Sequence, residues 1–130
     1  MGTDEVLIDT CVLIDVSRGR DEARHFLSSI RDMRLQISAV TVAEFCGGLR
    51  VDRQRAWFDA WLLTVGIFDV TADIARLGGF YWRDYRSSHG VRLLDALIAA
   101  TAKIHGVRLV TRNLKHFPML DEVVAPYRLN

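Results

Sequence analysis

Cysteine is scarce in this chain, which has only Cys11 and Cys46 and no CxxC spacing. This argues against a disulfide-stapled scaffold or a structural zinc site, and both thiols are expected to be reduced and buried. Long apolar runs are also missing, because no stretch approaches the ~20 residues that a membrane-spanning helix requires. We see no internal repeat, low-complexity segment or linker.

The N-terminal segment MGTDEVLIDTCVLIDV lacks the basic flank and uninterrupted apolar core of a secretory signal. Acids stand among its apolar residues: Asp4, Glu5, Asp9 and Asp15. We therefore expect a cytoplasmic protein that does not enter a membrane. A large excess of one charge is absent too, since the net charge of +1 says little about a nucleic-acid partner.

The chain does have enough apolar sequence for one substantial core, since half of its 130 residues are hydrophobic, and we expect a single domain over residues 1–130. Short apolar runs predict strands at 6–8, 35–38, 67–70 and 107–110. Amphipathic stretches predict helices at 20–31, 41–50, 53–64 and 95–105, the last ending at Gly106. Thr71 is expected to be the N-cap of a further helix that runs towards Arg86. The alternation predicts a central parallel sheet with helices on both faces.

Polar residues follow the predicted strands or open the helices after them. They are Asp9 and Thr10 after the first strand, Glu44 early in the next helix, Asp95 at the start of the clearest helix, and Thr111 and Asn113 after the last strand. Ligands bind at the carboxyl ends of strands in open parallel sheets, so these side chains can converge. Each also has a structural interpretation, because Asp9 could cap a helix, Asp95 could oppose a helix dipole and the threonines could be ordinary strand-end hydroxyls.

Carboxylates gathered without cysteine or histidine favour a hard cation, Mg²⁺ or Mn²⁺, over zinc. The cation would hold the acids ionised and activate water for attack on phosphorus. Glu44 stands among apolar neighbours in AVTVAEFCGGL and needs a partner for its charge. The pattern therefore indicates phosphodiester hydrolysis.

At these residues the sequence resembles the PIN-domain ribonucleases, specifically the VapC-type toxins of VapBC toxin–antitoxin pairs. The likeness rests on four pieces in order: VLIDTCVLID at 6–15, ISAVTVAEFCGGL at 37–49, LLDALIAATAKIHGVRLVTRN at 93–113, and LKHF after it. It implies a three-layer α/β/α sandwich and Mg²⁺- or Mn²⁺-dependent endoribonuclease activity on RNA. It also implies a cognate VapB-type antitoxin that binds and inhibits the toxin, and a homodimer.

By position, Asp9 and Asp95 match the family's principal metal-binding acids, and Glu44 matches its acid on the helix. The family often has a fourth acid in a pattern like T-R-N-x-x-D-F, whereas here His116 stands where that aspartate is expected. Asn113 could supply an uncharged oxygen. We therefore expect one well-bound metal, with any second arriving with substrate; His116 could be a proton donor, a phosphate contact or a surface residue.

Two further groups of residues suggest binding surfaces. Arg112, Lys115 and His116 follow the last strand and could hold RNA phosphates, and a second basic region before Asp95 could extend that path: Arg83, Arg86, His89 and Arg92. Trp57, Phe58 and Trp61 lie on one predicted helix. They could be core, or could form a groove for a partner helix.

Other functions remain as alternatives. Haloacid-dehalogenase-like phosphatases place a second aspartate two positions after the first, but Cys11 stands there, and the paired acids of a receiver domain are not supplied either. An inactive binding module with the same fold, acting through a partner or RNA, is the alternative from a different class.

Overall fold

A five-stranded sheet, parallel throughout, organises the protein, whose computed structural model describes residues 4–128. The elements in chain order are β1 (Glu5–Ile8), α1 (Thr10–Ser17), α2 (Asp21–Ser29), β2 (Arg34–Ser38), α3 (Ala39–Gly47), α4 (Asp52–Leu62), β3 (Gly66–Phe68), α5 (Ala72–His89), α6 (Leu93–His105), β4 (Arg108–Val110), one 3₁₀ turn (Leu114–His116) and β5 (Val123–Val124).

The first apolar run of the sequence becomes the middle of the sheet, whose strand order is β3-β2-β1-β4-β5. Val6 and Ile8 of β1 face one core together with Phe45 and Phe58. Leu7 points the other way into a second core. Successive side chains of a strand alternate between faces, so β1 is covered on both sides and the three-layer α/β/α sandwich is confirmed.

Close packing of α5 on α6 explains one of the two glycines that interrupt the amphipathic pattern of α5. A Cβ built on Gly78 would lie 2.7 Å from Cδ2 of Leu97 and 3.2 Å from its Cα, whereas Gly79 has nothing within 4 Å of such an atom. Gly78 therefore sets the separation of the two helices. α6 ends as expected, at Gly106 in the left-handed conformation with φ of 64°.

Several boundaries and one burial prediction were wrong. Helix α1 was not predicted, because its apolar residues continue the run that begins in β1. Strand β5 is two residues long, too short to give a pattern, and β3 ends at Phe68 instead of residue 70. Both cysteines are free, but Cys46 is exposed and Cys11 is half-buried, whereas both were expected to be buried. Among residues 4–128 no helix is both long and apolar enough to cross a membrane.

Candidate active site

Three acidic side chains from separate elements meet at the carboxyl edge of the sheet. Asp9 directly follows β1, Glu44 lies on α3, and Asp95 lies in the first turn of α6. β1 pairs with β2 on one side and β4 on the other, which makes this edge a topological switch point where parallel sheets open a crevice. The acids are near enough to influence one another's ionisation.

Asp9 is only 4% exposed, and both of its carboxylate oxygens accept hydrogen bonds, a weak one from Sγ of Cys11 to Oδ2 at 3.5 Å among them. Its Oδ1 accepts from the backbone N–H of Thr10 at 2.8 Å, which makes it the N-cap of α1. Its Oδ2 accepts from the hydroxyl of Thr111 at 2.6 Å. The capping role and the place in the acidic group are therefore compatible.

Glu44 is oriented by Thr10, whose hydroxyl donates to Oε1 at 2.8 Å. The same hydroxyl lies 3.0 Å from that of Thr41 on α3. Thr10 thus contacts two acids at once, Asp9 through its backbone and Glu44 through its side chain. This supplies the partner that the apolar surroundings of Glu44 led us to expect.

Asp95 is held by Arg92, a contact that the sequence analysis did not predict. Nε of Arg92 donates to Oδ2 at 3.1 Å and Nη2 donates to Oδ1 at 2.9 Å. The same Nη2 atom lies 3.7 Å from Oε2 of Glu44. The spacing of three residues between Arg92 and Asp95 could have indicated the first contact, but the contact with Glu44 depends on how α3 and α6 pack.

Burial raises the pKa of Asp9 and the pKa of Glu44, because both carboxylates lose hydration. The hydroxyl bonds from Thr111 and Thr10 oppose this by stabilising the charged forms. Asp95 adds a smaller upward effect on the pKa of each. A group of acids whose charges are this costly favours a bound cation.

The residues after β4 complete one corner of the site. The backbone N–H of Asn113 donates to the Thr111 hydroxyl at 3.0 Å, so this turn supports the bond to Asp9. Nδ1 of His116 is buried 3.6 Å from Oδ2 of Asp95 and has no hydrogen-bond partner within residues 4–128. His116 therefore faces Asp95 and is not an ordinary surface residue.

The donor set suits a divalent cation, but its present geometry leaves no room for one between Glu44 and Asp95. Within the described part of the chain, no three Asp, Glu, His or Cys side chains are close enough to hold one ion. The guanidinium of Arg92 contacts both acids across that gap. The residues thus fit a metal in their chemistry, provided that Arg92 can move.

Arg112 is not free to act as the phosphate contact suggested for it. Its Nε lies 2.6 Å from Oδ2 of Asp15, and the hydroxyl of Tyr127 donates to the same oxygen at 2.7 Å. This cluster ties the C-terminal segment to α1. Lys115, by contrast, is exposed beside the site.

The second basic region, which precedes Asp95, mostly lies away from the acids. Arg86 stacks over Trp82 at 4.3 Å from the ring centroid, and Arg83 pairs with Asp84 at 2.9 Å. Both arginines are on exposed positions of α5 with His89. Of this group, the structure brings only Arg92 into contact with the acids.

A groove borders the C-terminal end of α1 and lies between α1, α2 and α4. Phe58 is fully buried in the core, but Trp57 and Trp61 stack on each other at 5.7 Å and line the groove. The groove has a volume of about 630 Å³. Among the described residues its lining includes Arg18, Arg24 and Arg53 and no acid.

Comparison with known proteins gives consistent likenesses over nearly the whole chain. The family model for the PIN domain matches residues 6–122. Ribonuclease VapC10 of Mycobacterium tuberculosis is 41% identical over 125 residues, which cover 94% of this chain and 92% of that protein. Ribonuclease VapC19 of the same organism is 39% identical over 124 residues, which cover 93% and 98% respectively.

Among solved structures, a toxin–antitoxin complex from Klebsiella pneumoniae contains a chain with a TM-score of 0.79 and 33% identity. The match covers 95% of the present chain and 99% of that one. The fold and the sequence therefore agree on the same group of proteins, and neither likeness favours the inactive binding module.

Proposed function

This chain belongs to the PIN domain family, and from that premise we propose that it is the toxin of a type II toxin–antitoxin system, acting as a metal-dependent endoribonuclease on RNA. The observation that carries the proposal is the convergence of Asp9, Glu44 and Asp95 at one sheet edge, in a chain 41% identical to a protein named Ribonuclease VapC10. The domain is proposed to span residues 1–130, and its site of action to be the cytoplasm, where RNA is available.

We propose that Asp9, Glu44 and Asp95 hold the metal. All three offer oxygen, so Mg²⁺ is the expected ion and Mn²⁺ the alternative. When bound, the ion would supply Lewis-acid activation of water and would neutralise charge that develops on the phosphate. Two threonines fix the orientation of two of these carboxylates, because Thr111 donates to Asp9 and Thr10 donates to Glu44.

One well-bound metal remains the proposal for this chain. His116 supplies an imidazole where the family pattern often has an acid, and its Nδ1 faces Asp95 at 3.6 Å. Asn113 contributes its backbone to Thr111. This corner therefore lacks the additional negative charge that would hold a second ion tightly in the absence of substrate.

RNA binding is proposed to run along the edge that carries Lys115. Lys115 is exposed and directly precedes His116, so its ammonium is proposed to contact a phosphate beside the scissile bond. Arg112 is engaged with Asp15, so its contribution to RNA binding is secondary. Contacts of this kind recognise the backbone, which leaves the base sequence of the target to other parts of the surface.

The antitoxin is proposed to dock in the groove between α1, α2 and α4. Trp57 and Trp61 offer an apolar floor and three arginines surround it. This combination fits an amphipathic segment whose apolar face packs on the tryptophans and whose acidic residues meet the arginines. A homodimer of the toxin is part of the same proposal.

Cleavage of structured RNA by the purified chain with Mn²⁺ tests the catalytic proposal. Asp9→Ala and Asp95→Asn should each abolish cleavage while Arg55→Gln, a change on the exposed face of α4, should leave it intact. Persistent cleavage in both acid variants would refute the mechanism. Co-purification with the product of an adjacent small reading frame, weakened by Trp61→Ala, tests the antitoxin proposal.

A further inference from the structure

Arg92 contacts two of the three acids, Asp95 and Glu44, although nothing in the proposed reaction assigns it a role. It precedes α6 as the N-cap residue. Its guanidinium grips both oxygens of Asp95 and contacts Glu44 through the same Nη2 atom. An arginine guanidinium is a permanent cation.

This arrangement conflicts with metal binding as it stands. A carboxylate that binds a metal must present at least one oxygen lone pair to it, and the guanidinium covers the side of Asp95 that faces Glu44. Two positive charges in the same gap would also repel each other. A metal ion and the guanidinium therefore cannot bind the same oxygens of Asp95 and Glu44 at the same time.

The position of Arg92 allows it to leave. Its side chain is 59% exposed, whereas that of Asp95 is 4% exposed. The guanidinium can therefore rotate into solvent without opening the core, while the carboxylate stays in place. Long side chains of this type combine a charged head in water with a stem that follows the protein surface.

We propose that Arg92 is a built-in counter-ion that occupies the metal position in the metal-free protein and is displaced when the metal binds. It neutralises Asp95 and Glu44 while no ion is present, and it weakens metal affinity by competing for the same two carboxylates. The inference rests on the proposed function, since it concerns the same metal site. The new element is that the metal ion must displace the guanidinium of Arg92 to bind, so this displacement lowers the metal affinity of the chain.

A purely structural role for Arg92 makes a different prediction. If the contact served only to cap α6, its removal would destabilise the protein equally with and without metal and would not tighten metal binding. If the metal displaces Arg92, removal of Arg92 should change the two properties in opposite directions. The metal-free protein should become less stable, and the ion should bind more tightly.

The test is Mn²⁺ binding to the full chain by titration calorimetry, at about pH 8 so that the carboxyl groups are ionised, with thermal unfolding in EDTA and in Mn²⁺. Arg92→Gln should bind Mn²⁺ about tenfold more tightly, because the ion no longer has to displace one charge-assisted contact. Its Tm should fall in EDTA and should rise more on addition of Mn²⁺ than that of the native chain. Arg55→Gln is the control for net charge, because it removes one positive charge from an exposed pair on α4.

Arg92→Lys serves if the glutamine variant does not fold without metal. Lysine keeps the charge but cannot make the bidentate contact, so its Mn²⁺ affinity should lie between those of the native and glutamine proteins. Unchanged or weaker binding in the Arg92 variant that folds would overturn the inference, as would equal tightening in Arg55→Gln. Asp95→Asn should lose binding; if the native chain itself binds no Mn²⁺, the proposed function fails instead.

Discussion

Thr111 connects β4 to Asp9 through one hydroxyl, and replacing it with valine isolates that connection. Valine has nearly the same shape, and Thr111 is fully buried, so the substitution removes the polar group without opening a cavity. The hydroxyl donates to Oδ2 of Asp9 at 2.6 Å and accepts from the backbone of Asn113 at 3.0 Å. Thr111→Val therefore leaves a buried carboxylate with one strong donor fewer.

The expected loss of stability follows from these two bonds. A hydrogen bond to a charged group contributes about 1.5–3 kcal/mol and a neutral one about 1 kcal/mol, and the added methyl of valine offsets part of this. A net loss of about 2 kcal/mol corresponds to a fall in Tm of about 6 °C for a domain of this size. Bound Mn²⁺ should reduce the difference, because the ion restores a partner to Asp9.

Thermal unfolding in EDTA and in Mn²⁺ measures the loss of stability and its reduction by the metal. RNA cleavage should show a lower kcat, because the Asp9 carboxylate is no longer held in one orientation. Thr101→Val is the matched control: Thr101 is also fully buried, but its hydroxyl donates to the backbone of α6 at 2.8 Å. The control should lose some stability equally in both conditions. If Thr111→Val behaves like the control in EDTA and Mn²⁺ and keeps its kcat, Thr111 does not position Asp9.

Further predictions concern packing, the C-terminal tie and pH. Gly78→Ala should lower the free energy of unfolding in urea by about 1–3 kcal/mol, because the added Cβ collides with α6. Gly79→Ala should raise it by up to about 1 kcal/mol, because alanine favours the helix. Equal effects of the two substitutions would refute the packing argument. Tyr127→Phe removes a hydrogen-bond donor to the buried carboxylate of Asp15 and should lower the free energy of unfolding by on the order of 1–2 kcal/mol. An unchanged Tm would show that this hydrogen bond does not stabilise the protein. Since the pKa values of Asp9 and Glu44 are raised in the folded protein, their contribution to metal-free stability should fall as pH rises from their unfolded pKa values through the folded ones. Asp9→Asn should flatten that dependence of Tm on pH in EDTA, and an equally steep profile would contradict the assignment.

The strands that could be predicted are those whose surroundings demand a particular sequence. Residues 6–8 of β1 are buried and the strand is covered on both faces, which requires apolar side chains there, so VLI gives a clear strand pattern. β5 is held at the edge of the sheet by only two pairs with β4, so its sequence is barely constrained. α1 was hidden because an apolar helix that follows a buried strand directly continues the same run.

The acids of the site could be predicted for a related reason. Asp9, Glu44 and Asp95 stand at positions that a parallel sheet brings to one edge, and their polarity contrasts with apolar neighbours. Arg92 offers no such contrast, since an arginine before a helix is ordinary in sequence. Its contact with Glu44 exists only because α3 and α6 lie side by side, which no local pattern records.

The threonines and Arg92 solve different parts of one electrostatic problem. Thr10 and Thr111 are neutral donors that can keep their bonds whether or not a metal is present, so they fix the directions of Glu44 and Asp9 permanently. A cation is also needed to balance carboxylates whose charges are costly when buried, and Arg92 provides it from an exposed side chain. Because the fixed donors and the removable cation are separate residues, the metal can replace Arg92 without disturbing the orientation of two of its three proposed ligands. Metal affinity and ligand geometry should therefore respond to different substitutions, the first to Arg92 and the second to the threonines.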